Sequence, residues 1–199
     1  GDIYGLVTDR LFQKEDFVYG ADGKIVKTTV IYKGTARVTN KQTSPYPVYQ
    51  VHYENGDKLI FAPGDVKFVD LDGDGYITPG SGTNGDPGDQ KVIGNTTPRY
   101  EYSFRLGADY KGFDFSIFFQ GIGKRKIWGS GQLAIPGYNA KEGALPKTFT
   151  KDYWTEDNTN AFYPRAWDLG GSDTGFSMQR QSQYLLDMSY LRIKNIILG

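Results

Sequence analysis

The stretch that decides the fold reads Tyr100-Glu-Tyr-Ser-Phe-Arg-Leu-Gly-Ala-Asp-Tyr110, then Lys111-Gly112, then Phe113-Asp-Phe-Ser-Ile-Phe-Phe-Gln120. Tyr100, Tyr102, Phe104, Leu106, Ala108 and Tyr110 recur at every second position, separated by Glu101, Ser103, Arg105, Gly107 and Asp109. A period of two places one set on one face of a strand and the other set opposite. After Lys111-Gly112 the alternation resumes, with Phe113, Phe115, Ile117 and Phe119 against Asp114, Ser116, Phe118 and Gln120. Phe118 is the one break. Each run has the roughly 9–11 residues a tilted strand needs to cross a bilayer. Aromatics crowd both ends, and the turn is tight, as on the periplasmic side of outer-membrane barrels. A soluble sandwich hairpin alternates as well, because one face of its sheet is buried and the other wet. The pattern alone leaves both open.

Outward from the hairpin, the chain divides into unlike segments. Residues 1–69 read as short strands between turn signals. Asp22-Gly23 separates Phe17–Tyr19 from Ile25–Tyr32, and Asn55-Gly56 separates Val48–Tyr53 from Lys58–Ala62. Both dipeptides suit type I′ turns, and Thr43–Pro47 interrupts pairing because proline lacks the ladder donor. Residues 70–98 are rich in Gly, Asp and Pro and form one long loop, a class that is usually functional or disordered. Residues 99–122 carry the hairpin. Residues 123–188 are a second irregular stretch, with a short helix expected around Thr148–Thr155. Residues 189–199 start another strand, in which Leu191, Ile193 and Ile197 share a phase that Asn195 and Ile196 interrupt, as a β-bulge would. Gly1 begins no signal peptide and the last run stops in mid-pattern, which reads as a piece of a longer protein.

Composition narrows the chemistry. With 15 Tyr, 12 Phe and 26 Gly among 199 residues, the chain favours strands and tight turns over helices. The expected class is all-β: mainly antiparallel strands with long irregular loops and at most short helices. Lys plus Arg equals Asp plus Glu at 23 each, so no general attraction to nucleic acid follows. The absence of cysteine excludes disulfides and thiolate metal sites. His52 is the only histidine, lies in a strand-like run and has no convergent serine or acid to make a triad. No catalytic residue is assigned. No run approaches the length of a membrane helix, which does not bear on barrel strands, since these alternate.

One motif carries chemistry. Asp70-Leu-Asp72-Gly-Asp74-Gly75-Tyr76-Ile77 matches the first half of a calcium loop, D-x-[DN]-x-[DN]-G-x. Carboxylates at positions 1, 3 and 5 converge, Gly75 permits the sharp turn, and the carbonyl of Tyr76 adds a ligand to a hard cation that wants six to eight oxygens. The second half departs: Thr78 and Ser81 stand at positions 9 and 12, where a bidentate acid is expected. The missing carboxylate must come from further on, with Asp89 and then Asp86 nearest. Asp70, Asp72, Asp74, Tyr76 and Asp89 are therefore the candidate ligands of a structural Ca2+. An Asp/Gly-rich turn whose side chains bond their own backbone gives the same spelling. Gly80-x-Gly82-x-x-Gly85 follows no strand and is no dinucleotide site. The Asn95-Thr-Thr97 sequon and the acids Glu101 and Asp114 carry nothing specific.

Several motifs in a fixed order resemble the SusC/RagA family of TonB-linked outer-membrane transporters. They are Pro63-Gly-Asp-Val-Lys-Phe-Val-Asp-Leu-Asp-Gly-Asp-Gly75, Asp89-Gln-Lys-Val-Ile-Gly-Asn95, Thr97-Pro98, Phe113–Gly123, Trp154-Thr-Glu-Asp-Asn158, Tyr163-Pro-Arg165 and Ser189–Asn195. The resemblance is dense over 63–123 and 150–199 and thin over 13–62. It implies an excised part of a TonB-dependent transporter β-barrel in the outer membrane, with loops facing the extracellular side. It also implies uptake of oligosaccharide or peptide fragments with a SusD-like surface lipoprotein, and contact with TonB through upstream parts. In the alignment Asp89 falls on the family's last loop acid, behind extra residues at Pro79–Asp86. Trp128, Tyr138, Tyr153, Trp154 and Trp167 are then loop aromatics, either for stacking on sugars or for filling the loops' own cores. The alternative is a secreted, calcium-braced carbohydrate-binding β-sandwich. The two differ in whether Tyr102, Phe104, Phe115 and Ile117 are covered by a second sheet or form an exposed band.

Overall fold

The computed structural model describes residues 1–50, 61–83, 85–129, 147–166 and 179–199. They fold as strands with two single 3-10 turns, Lys14–Asp16 and Phe149–Lys151. The second turn is all that forms where a short helix is expected. The protein is all-β, and among the described residues every strand pairing but one is antiparallel, as its alternating sequence and Gly-rich turns dictate.

Thirteen strands are formed among the described residues. β1 (Asp2–Leu6) pairs with β8 (Gln90–Asn95), and β2 (Thr8–Leu11) with β6 (Val66–Phe68). β3 (Lys27–Tyr32) and β4 (Thr35–Asn40) make a hairpin. β5 (Tyr49–Gln50) lies parallel to β7 (Tyr76–Ile77). β9 (Tyr100–Tyr110), β10 (Phe113–Gly123) and β13 (Tyr190–Leu198) form a three-stranded sheet in the order β13-β10-β9. β11 (Lys126–Trp128) pairs with β12 (Leu185–Asp187).

The three-stranded sheet is the alternating stretch realised. Lys111 and Gly112 both take positive φ, 50° and 87°, the geometry of a type I′ turn that matches strand twist. Paired residues share a face, so Phe104 lies beside Phe119, their rings stacked at 4.7 Å. The register with β13 slips between Phe118 and Phe119. This bulge places Ile196 opposite Ile117 and Ile193 opposite Phe119, so Leu191, Ile193, Ile196 and Leu198 all join the apolar face. Phe118, the break in the pattern, lies across from Arg105, whose guanidinium sits 5.9 Å from the ring centroid. Eleven residues at about 3.4 Å rise and about 40° tilt span about 26 Å, close to the ~25 Å apolar band of membrane barrels.

No second sheet covers this face among the described residues. Tyr102 is 39% exposed, Phe104 42% and Phe115 41%, and Ile117 is half-buried. The exposed band, rather than the sandwich core, is what forms.

The core lies elsewhere, beneath β2 and β6, where Leu6, Leu11, Phe12, Phe17, Phe61, Val66, Phe68, Ile77, Trp154 and Ala161 pack together. Gln50, with no exposure, spans β6 with its amide: Nε2 donates to the Val66 carbonyl at 2.8 Å and Oε1 accepts from the Phe68 N–H at 2.8 Å. A buried amide is tolerated because both of its ends are bonded.

One turn expectation came out differently. Asp22-Gly23 is not a type I′ turn, because only Gly23 has positive φ; the bridge Tyr19–Ile25 closes a wider loop, with the Gly20 N–H donating to the Lys24 carbonyl. The I′ hairpin of this region is instead at Lys33-Gly34, with φ of 45° and 75°. Asn55-Gly56 and His52, with most of their flanking runs, lie outside the described residues.

Candidate functional site

The acidic loop runs out of β6 and into β7. Its geometry starts from Gly73 and Gly75, at φ of 80° and 85°, where a side chain would be strained. These turns aim backbone N–H groups inward. Asp70 accepts from the Gly73 N–H at 2.7 Å and from the Gly75 N–H at 2.9 Å, one on each carboxylate oxygen. Asp72 accepts from the Asp74 N–H at 3.1 Å and Asp74 from the Tyr76 N–H at 2.7 Å. Ile77, fully buried in the core, fixes the end of the loop. Tyr76 fixes it sideways: its hydroxyl donates to the Ile31 carbonyl at 2.7 Å, and its ring lies 5.0 Å from Tyr32 and 5.8 Å from Tyr49.

Asp89 arrives from across the inserted residues. Its N–H donates to the Thr78 carbonyl at 2.9 Å, closing the base of the insertion. Within the insertion, the Ser81 N–H donates to Asp86 Oδ2 at 3.0 Å, and Gly80 and Gly88 approach so closely that a Cβ on either would collide with the other's backbone. The extra residues therefore loop outward. Asp89 has no exposed surface, and its two oxygens accept from the Leu71 and Thr78 N–H groups, each at 2.7 Å.

Carboxylate oxygens of Asp70, Asp72 and Asp89 lie within 4.8 Å of one another. Of the sequence-derived ligands, Asp74 stands outside this group, tied to it by its backbone N–H on the Asp72 carboxylate. Asp86 is held in the insertion and does not join. Burial pushes the Asp89 carboxyl up from its ordinary value; its two backbone bonds oppose this, and the charges of Asp72 and Asp70 reinforce it. Asp74 is raised too, first by burial and further by Asp72 and Asp70. No Lys or Arg pairs with Asp70, Asp72 or Asp89 among the described residues. Negative charge is thus gathered around one point, where a hard cation would be the natural counter-charge.

Two motifs far apart in sequence meet nearby. Asp65 and Arg165 form a two-pronged ion pair, Nε to Oδ1 and Nη2 to Oδ2, both at 2.8 Å. The Arg165 N–H also donates to the Gly64 carbonyl at 2.8 Å. Gly64, at φ 88°, lies against the Trp154 ring and Arg165 Cβ, leaving no space for a side chain. Trp154 is core, 8% exposed, and Tyr153 stacks on Phe149 at 5.6 Å. Trp128 is half-buried, while Tyr138 and Trp167 lie outside the described residues. Sequence reading missed this lock, although both halves, Pro63-Gly-Asp65 and Tyr163-Pro-Arg165, stand among the recurring motifs.

Comparison with known proteins agrees with these motifs. Over 137 residues, 69% of its length, the chain is 31% identical to TonB-dependent receptor P3 of Formosa agariphila. Over 137 residues, 68% of its length, it is 29% identical to TonB-dependent receptor P26 of the same organism. The chain spans about 12% of the length of each of these relatives. No protein-family model matches it. It is a TonB-dependent-receptor-like segment, all-β in structure.

Proposed function

We propose that this chain is a surface-loop and spanning-hairpin piece of an outer-membrane TonB-dependent nutrient importer of the SusC/RagA type. The observation that carries this reading is the apolar face of β9, β10 and β13, exposed over a height close to the thickness of a membrane barrel band. In water such a patch is a liability; against lipid it is solvated. The opposite face, with Glu101, Ser103, Arg105, Asp109, Gln120 and Arg192, would then line the barrel interior. The tight Lys111-Gly112 turn faces the periplasm, and the loops on either side of the hairpin face outward.

In this reading the outward loops receive oligosaccharide or peptide and contact a SusD-like lipoprotein, while TonB engages parts of the protein outside this chain. Asp70, Asp72 and Asp89, with Asp74 and the Tyr76 carbonyl, hold a structural Ca2+ that braces the loop through its tie to the core at Ile77. The three gathered carboxylates, with no basic partner among the described residues, support that assignment. No catalytic residue is called for.

The test uses single cysteines, since the chain has none of its own. In intact cells making the polypeptide that carries this chain, Tyr46→Cys, 86% exposed in the first loop, reacts with an impermeant maleimide. Lys111→Cys reacts only after the outer membrane is opened. Labelling of Lys111→Cys in intact cells would refute the orientation, and equal labelling of both in a soluble fraction would refute the membrane placement.

A further inference from the structure

The three-stranded sheet ends in a kink. Lys124, directly after β10, takes a left-handed φ of 52°, and residues 96–99 separate β8 from β9. Beyond the kink, β11 pairs with β12 and packs on β8. Between these strands and the end of the long sheet lies an open cavity of about 800 Å³. Tyr100 and Tyr102, the first two side chains of the apolar face, bound it on one side, their rings lying over Gly123 and Gly121. A Cβ on either glycine would collide with the ring above it, so these positions let the aromatics lie flat on the sheet.

The charged part of the lining is mainly basic. Arg99, Lys124 and Lys126 are exposed on it, with Asp187 as the one carboxylate, a formal balance of +2. Arg99 and Lys124 make no side-chain hydrogen bond or ion pair among the described residues, whereas Lys126 lies across the ladder from Asp187. The neighbouring Arg125 is committed to the fold, its Nε donating to the Thr96 carbonyl at 3.0 Å. Arg99 and Lys124 therefore stand at the rim without holding the fold together, with Lys126 beside them opposite Asp187, immediately above an apolar face and at the end away from the tight turn.

We propose that this cavity binds the phosphate of an outer-leaflet glycolipid, whose acyl chains run down the face past Tyr102, Phe104 and Leu106. The inference rests on the spanning reading above. A phosphomonoester carries up to two charges, matching the net lining, and arginine binds it by a two-pronged fork. A free anion would gain nothing from the aromatic floor, whereas a lipid uses both halves of the site.

Flotation of the chain with phosphatidylcholine vesicles, plain or doped with diphosphorylated lipid A, separates the two claims. At about fivefold for each of two net charges, doping is expected to tighten binding roughly twenty-five-fold. R99Q/K124Q/K126Q loses that gain and still floats with plain vesicles. K24Q/K41Q/K151Q, with as many charges removed at exposed lysines away from the cavity, keeps it. Equal binding to plain and doped vesicles, or equal loss in both triple variants, overturns the cavity site and leaves the spanning reading intact. Displacement from doped vesicles by inorganic phosphate overturns the lipid assignment in favour of a soluble phosphate. Failure to float with plain vesicles refutes the spanning reading, and binding to doped vesicles alone would then keep only the anion site.

Discussion

Asp89→Asn is the sharpest probe of the acidic loop, because its consequence depends on whether a cation is there. Asp89 has no exposure, and both of its oxygens accept backbone N–H groups at 2.7 Å. Asparagine keeps one acceptor and turns an NH2 toward the other N–H, leaving that donor unpaired. A buried unsatisfied donor costs about 1–3 kcal/mol. Against this, removing the charge relieves the repulsion from Asp70 and Asp72. In chelator the two effects oppose, and the net loss is expected to be about 1 kcal/mol.

With calcium the balance changes. A cation bound to the folded chain at a hundredfold its Kd stabilises by about 2.7 kcal/mol, which for a chain of this size raises Tm by about 5–10 °C. Asp89→Asn loses a carboxylate ligand and most of that rise. Asp86→Asn, altered in the outward insertion, keeps it in full. Thermal unfolding followed by far-ultraviolet circular dichroism, in chelator and in millimolar calcium, gives all three numbers. An unchanged wild-type Tm refutes the metal. A full calcium shift in Asp89→Asn refutes Asp89 as a ligand.

Arg165→Ala takes from Asp65, 4% exposed, its two-pronged cationic partner, at a cost of up to about 3–5 kcal/mol; a urea midpoint close to wild type would show that the pair does not lock the loops. On the apolar face, Leu106→Arg near mid-strand is expected to cost about 2–4 kcal/mol of barrel stability in a bilayer, while Ser103→Arg on the polar face costs little. Heat-modifiable gel mobility of the assembled protein reads both, and equal effects would remove the distinction between lipid and interior faces. For pH, burial would raise Asp16, but the bonds from Arg10 and the Gln13 N–H outweigh it and hold the carboxyl below its ordinary value. Its pair therefore stabilises the fold above the ordinary carboxylate pKa, near 4, and is lost as pH falls through the lowered value. Asp16→Asn should flatten the acid limb of the stability curve by up to about 1 kcal/mol, since the partner is well exposed; an unaltered limb would discount the pair.

Local rules carried the reading as far as local rules reach. Period-two alternation depends only on strand geometry, so β9 and β10 were legible from side-chain order alone. That β13 carries a bulge was legible from its broken alternation, but its place was not: Ile197, expected in phase with Leu191 and Ile193, pairs with Ser116 on the polar side, and Ile196 takes the apolar face. Turn type was harder, because it rests on φ at the first central residue. Asp22 could have adopted positive φ and does not, whereas Lys33 and Lys111 do so with no sequence preference to announce it. Asp65 and Arg165 stand 100 residues apart, and no periodicity links them. Asp89 was reachable only through its motif, since spacing from Asp70 is broken by an insertion whose outward course is decided by Gly80 and Gly88.

The bulge also bears on what surrounds the sheet. A sheet wetted on both faces has no reason to keep its apolar residues in phase across three strands, because either face would serve. Here the slip between Phe118 and Phe119 restores phase at the cost of one unpaired residue in the ladder. It sends Ile196 and Leu198 to the same side as Leu191 and Ile193, and Arg192 and Asn195 to the side of Gln120 and Phe118. The aromatics on that polar side, Phe118 and Tyr190, are each approached by a guanidinium, of Arg105 and Arg192. Two unlike environments are thereby specified, one apolar and one polar, although neither β9 nor β13 has a single buried residue. A lipid on one side and an aqueous interior on the other would satisfy both faces, and the outer edges of β9 and β13, unpaired among the described residues, supply the ladders along which such a sheet would continue.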